Sequence, residues 1–216
     1  MNEIIFIFHI VAVVGFGFGA LRLGKEALVA WVAFQAVLAN LFVIKQIGFF
    51  GFEVTCSDVF AIGSILGLNL LQEYFGKESG RKAIWICFYI LAFFAAMSQI
   101  HLFYLPSVHD QTHAAFYTIL QPAPRLLLAS VGVFFFVQQV DLKLYAKLKK
   151  LPLPLKNGIS LVLSQLIDTV LFSYFGLYGN VASMFDIIVI SFMIKVIVVF
   201  CMTPFVALTR RIYAPS

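Results

Sequence analysis

Charge is what this chain has least of. Only 12% of its 216 residues are Asp, Glu, Lys or Arg, about half the share of a soluble domain. So few polar side chains cannot cover a water-facing surface, which excludes an ordinary soluble fold. Cysteine is scarce too. Cys56, Cys87 and Cys201 are odd in number and far apart, so they suggest neither a disulfide framework nor a metal knuckle and read as packing residues. No G-x-x-x-x-G-K-[ST] phosphate loop is present, which excludes ATP hydrolysis by that route. H-E-x-x-H, G-x-S-x-G and Cys/His clusters are absent as well, which argues against an enzyme, and no cofactor is expected. The glycines from Gly15 to Gly19 lack the G-x-G-x-x-G spacing and preceding strand of a dinucleotide site.

What is there is apolar. The chain is 62% hydrophobic, carries 25 Phe and has a mean hydropathy of +1.00. A membrane crossing needs about 20 mostly apolar residues. Seven stretches qualify: 4–23, 27–47, 57–75, 82–105, 123–147, 157–177 and 183–209. The expected fold is therefore an all-α polytopic membrane protein, a single domain over 1–216 built as a bundle of seven transmembrane helices. The first stretch has no basic residue before it and a long apolar run, so it reads as a retained span and not as a signal peptide.

The basic residues test that layout. Twelve of the fifteen Lys and Arg follow stretches one, three, five and seven or flank them on that side. Only Lys45, Arg125 and Lys195 do not. The positive-inside rule then places the N-terminus outside and the C-terminus inside. On this view the net charge of +5 comes from cytoplasmic loops facing the lipid bilayer and implies no nucleic-acid partner.

Several features have a structural reading beside a functional one. Gly15/Gly19 and Gly63/Gly67 are GxxxG pairs that let helices approach closely. Gly48 and Gly51, among Phe49, Phe50 and Phe52, break the second span at an interfacial belt or a partly re-entrant turn. Gln35 and Asn40 either line a site or bond neighbouring helices. His109 and His113 lie in the 106–122 connection, which reads as a solvated outer loop; they lack the Glu and third ligand of a zinc site.

The stretch from Ser160 to Phe172 has a carboxylate in its middle. A charge at the centre of a membrane helix costs about 2.5–3.5 kcal/mol on insertion scales. Asp168 lies roughly 17 Å into span six from the inner side, and Lys195 roughly 18 Å into span seven from the outer side, at 1.5 Å per residue. The two therefore sit at similar heights, either as a structural ion pair or as a pair shared with a substrate or coupling ion. Asn69 and Glu73 are one turn apart on span three, where the carboxylate either snorkels or faces inward with Asn69. Gln138 with Asp141, and Gln165 with Asp168, repeat an i, i+3 spacing that presents an amide and a carboxylate together. Arg125 serves as an interfacial anchor or as a gate.

These residues carry a resemblance. Asn69 through Glu73 to Lys77 with Arg81–Trp85, Pro124-Arg125 through Asp141, and Asn157 through Ser164-Gln165 to Asp168-Thr169, followed by Lys195 and Thr203–Phe205, resemble the queuosine precursor transporter family, also called the vitamin-uptake-transporter family, in its seven-span form. The resemblance runs from about Ala30 to Thr209. This chain departs from the family pattern with Asn69 where Asp is usual, Leu68 for Thr and a changed Tyr74-Phe75 order, which bears on coupling or precursor preference.

The resemblance implies an extra first span ahead of a core over about 27–209, similar to the substrate-binding subunits of energy-coupling-factor importers. It implies import of 7-deazaguanines (preQ0 or preQ1) across the bacterial cytoplasmic (inner) membrane by a multi-pass, secondary active carrier. The alternative is a binding subunit that needs a partner ATPase, and homo-oligomerisation stays open. The residues suited to that ligand are Asn40, Asn69, Glu73, Arg125, Gln138, Asp141, Asn157, Gln165, Asp168 and Lys195. Trp31, Trp85 or a Phe would stack on its ring, and Asp168 or Glu73 is a candidate proton carrier.

Overall fold

A computed structural model describes residues 1–147 and 153–197. Cys201, Lys149, Lys150, Arg210, Arg211 and Thr203–Phe205 lie outside the described residues. Seven helices carry most of the chain: α1 Asn2–Leu23, α2 Lys25–Phe42, α3 Asp58–Phe75, α4 Lys77–Leu102, α5 His113–Leu120, α6 Ala123–Lys147 and α7 Leu153–Phe172. A five-residue π turn, Ser173–Leu177, extends α7. A further helix, α8, occupies 184–197 of the described chain. The polytopic helical character expected from composition is present.

Single glycines make the sharpest connections. Gly24 (φ +107) alone joins α1 to α2, and Gly76 (φ +83) alone joins α3 to α4. Reversing a helix in one residue needs a left-handed backbone, which glycine adopts without a Cβ clash.

Two expectations are corrected here. The fold is not purely α, because β1 Gln46–Phe49 pairs antiparallel with β2 Phe52–Thr55 where a helical span was expected to run to 47. α2 ends at Phe42, whose carbonyl accepts from the Lys45 N–H at 3.1 Å, and a two-residue turn with positive φ at both Phe50 and Gly51 closes the hairpin. The 106–122 connection is not all loop either, since α5 occupies His113–Leu120. Before it, Asp110 Oδ1 accepts from the Thr112 backbone N–H at 2.7 Å and its hydroxyl at 2.8 Å, which holds that carboxyl below the usual range.

The hairpin clasps one end of the bundle. Asn2 donates to the Gly48 carbonyl at 2.9 Å, and the Phe50 N–H donates to Glu3 at 3.2 Å. On its other side the Ala182 N–H donates to Gln46 Oε1 at 2.8 Å, and the Glu53 N–H reaches Asp186 at 3.4 Å. The N-terminus, the α2–α3 connection and the turn before α8 thus share one end.

The main core joins α1, α2, α3 and α4 through Leu21, Leu28, Val32, Ile62, Leu66, Leu70, Leu71 and Ala83, with Cys87 buried among them. Close approach depends on small residues. A Cβ on Gly67 would collide with Val32 Cγ2, and one on Gly63 would meet Val13 at 2.7 Å. The Gly63/Gly67 pair is therefore a contact face as expected. Gly15 and Gly19 are not: nothing lies within 4 Å of either, and the buried glycine of α1 is Gly17, against Trp31 at 2.9 Å.

Three described helices are long and apolar enough to cross a membrane unaided: α1, α2 and Glu78–Leu102 of α4. In α7 the described apolar stretch, Val162–Leu177, runs on into the π turn. α3 carries Asp58, Asn69 and Glu73, α6 carries Arg125 and Asp141, and α7 carries Gln165 and Asp168.

Candidate functional site

A cavity of about 360 Å³ lies inside the bundle. That is within the range of small-molecule sites, ~300–1,000 Å³. Its polar lining comes from helix faces whose spacing is regular. On α7, Gln165, Asp168, Thr169 and Phe172 stand at i, i+3, i+4 and i+7, so they share one face. On α8, Ile187, Ser191 and Lys195 stand four apart, and on α3 the wall runs Asp58, Ala61, Ser64, Leu68. Asn40 of α2, Ser130 of α6 and Thr55 at the end of β2 complete much of the polar wall.

Asp168 and Lys195 meet, as their matching depths predict. Lys195 Nζ donates to Asp168 Oδ2 at 2.9 Å and to Thr169 Oγ1 at 3.1 Å. The pair is partly buried, with the lysine side chain 15% and the aspartate 33% exposed. Two charges in a low-dielectric bundle persist when each offsets the other and hydrogen bonds occupy the remaining sites, and Thr169 supplies one such bond.

Asp58 was not among the residues expected in the site. It is 5% exposed, lines the cavity, and accepts from the Ser191 hydroxyl at 2.9 Å. As the first residue of α3 it looks like an ordinary acidic helix start. The signal that could have found it is Ser191, one turn before Lys195 on α8. That single face links α8 to α3 through Asp58 and to α7 through Asp168.

Of the ten residues proposed from sequence, the cavity gathers Asn40, Gln165, Asp168 and Lys195. Asn40 also donates to the Ala36 carbonyl at 3.0 Å. Asn69 is exposed and Glu73 half-buried, both on the part of α3 beyond Leu68, where the cavity wall ends. Arg125 is exposed and donates through Nε to the Phe175 carbonyl at 2.8 Å. It lines a second groove of about 770 Å³ between α6 and α7, otherwise apolar, whose walls Leu128, Phe136 and Phe175 are exposed. Although larger, that groove offers no polar constellation, so the smaller cavity is where the chemistry lies. Gln138, Asp141 and Asn157 fall on α6 and α7 with side chains outside the described set.

The tryptophans are not in the cavity. Trp31 fills the slot between Gly17 and Gly67, and Trp85 is exposed; the aromatic in the cavity wall is Phe172. Gln35 is 4% exposed and faces Gly63, with its Oε1 unpaired among the described residues.

Apolar helices closed around one polar cavity define a helical membrane protein that can hold a polar solute away from lipid. The sequence model of the family described as putative vitamin uptake transporter matches residues 55–209, and the chain belongs to that family. It is a transport protein and not an enzyme. The chain is also 32% identical over 163 residues to a probable queuosine precursor transporter of Bacillus subtilis (strain 168), covering 72% of this chain and 71% of that one. No solved structure matches. The family match starts at Thr55, so α1, α2 and β1 precede it, although α2 supplies part of the cavity wall.

Proposed function

We propose that this chain imports a queuosine precursor, a 7-deazaguanine of the preQ0/preQ1 type, across the bacterial cytoplasmic membrane as a secondary active carrier. The observation that carries the reading is the Asp168–Lys195 pair inside a cavity of small-molecule size. The similarity to a probable queuosine precursor transporter supports it. A guanine-like edge offers two adjacent N–H donors, which one carboxylate accepts together, and a carbonyl oxygen that wants a donor. Asp168 accepts the donors, Lys195 or the Gln165 amide serves the carbonyl, and Phe172 stacks on the ring.

Proteoliposomes containing this protein alone are expected to accumulate labelled preQ1 or preQ0. No accumulation without a partner ATPase would sink the carrier reading.

The proposal includes seven crossings, with the N-terminus outside. The shared end of the N-terminus, the hairpin and the turn before α8 supports this layout. A tag at residue 1 should be reached from outside the cell and a tag at residue 216 only after permeabilisation. The opposite accessibility would overturn the orientation.

A further inference from the structure

Among the described residues the cavity holds two carboxylates, Asp58 and Asp168, and one cation, Lys195. Lys195 is engaged with Asp168 and Thr169. Asp58 is the more deeply buried carboxylate, and its bond is to a neutral hydroxyl, Ser191 Oγ at 2.9 Å. Among the described residues no lysine, arginine, histidine or chain terminus forms an ion pair with it. Asp58 and Asp168 thus share the charge of Lys195, whose direct contact is with Asp168, so among the described residues the cavity has one carboxylate more than it has cations, and a buried excess charge is costly.

Its surroundings say what would complete it. Thr55 Oγ1 and Ser57 Oγ, 2.7 Å apart, lie on the same wall. Carboxylate and hydroxyl oxygens grouped in this way suit a group that brings several donors and a positive charge. An ammonium has three N–H donors and no acceptor. A nitrile has only an acceptor, and would set its lone pair against the carboxylate. The Asp58 contact on α8 is one turn, about 6 Å, from the ion-pair contact. A planar ligand held at Asp168 therefore has room for a side arm reaching toward Asp58.

Resting on the reading that the cavity binds a 7-deazaguanine, we infer that Asp58 is the counter-ion for a cationic side arm, so that this chain selects the aminomethyl precursor preQ1 over the nitrile precursor preQ0. Asp58 is then a specificity-determining residue. The discrimination belongs to the class in which a buried polar group is left unpaired by the wrong ligand.

The test is direct binding of both precursors to the purified protein in detergent. The wild type is expected to bind preQ1 more tightly than preQ0 by about tenfold or more. Asp58→Asn keeps an acceptor for Ser191 but removes the charge, and the ratio should collapse toward one. A wild-type ratio near one, or preference for the nitrile, overturns the inference and needs no variant to fold. A ratio unchanged in a folded Asp58→Asn protein overturns it as well; if that variant also loses uptake, Asp58 carries a proton instead. Wild-type protein that binds neither precursor sinks the reading of the cavity itself.

Discussion

Asp168→Asn is expected to abolish uptake while folded protein remains in the membrane. Truncating one member of a buried, hydrogen-bonded charge pair costs about 2–5 kcal/mol, roughly a 30-fold to several-thousand-fold loss of affinity. The amide still accepts from Lys195, so the helices keep their contact, but it offers one acceptor where the ligand needs a charged pair of oxygens. Uptake of labelled precursor into proteoliposomes, with a thermal melt on the same preparation, reads both effects.

A purely structural pair would behave differently. Replacing both partners of a buried ion pair with neutral groups of similar volume is often harmless to stability. The double variant Asp168→Asn, Lys195→Met is therefore expected to melt near wild type yet still fail to transport. Wild-type uptake by that double variant would show that the pair does no more than balance itself.

The second large effect is on stability. Gly67→Ala drives a methyl into Val32 Cγ2 and to 3.0 Å from the Trp31 ring. Neither neighbour can step aside, because Val32 is 1% exposed and Trp31 is already wedged against Gly17. Overpacking of this kind costs about 1–3 kcal/mol. For a chain of this size that lowers Tm by roughly 2–12 °C. Inside a bilayer, apolar burial is not what drives helices together, so the loss of close approach is felt in full. Gly15→Ala, with nothing within 4 Å, is the control and should melt within about 1 °C of wild type. Equal melting of the two variants would show that the α2–α3 contact is not the tight one.

The part of the site that was legible in the sequence was the part governed by helix rise. Counting residues from the loops put Asp168 and Lys195 at one height, and they bond. The face of α3 was harder. The spacing of Asn69 and Glu73 says that they share a side with each other, but not which neighbour that side meets. The cavity lies instead along Asp58, Ala61, Ser64 and Leu68, a face that beyond its first residue is only small or apolar and that hydropathy alone does not separate from a lipid-facing stripe. The hairpin is not legible in the sequence because its strands are four residues each and its glycines read equally well as a helix stop. Which of Trp31, Trp85 or a Phe faces the cavity is not legible for a related reason. Aromatic character marks a residue that can stack, while the slot that Trp31 fills is created by glycines on two other helices.

The wide turn at Ser173–Leu177 has a consequence for comparing relatives. A π turn is an α-helix with one residue added. It lies between Asp168 and Lys195, which are 27 positions apart here. A relative that lacks the added residue can keep the same two side chains in contact with a separation shorter by one. The spacing is therefore not a signature. An alignment should be allowed a single-residue gap within 173–177, and a motif that fixes the interval from aspartate to lysine would discard true members of the family.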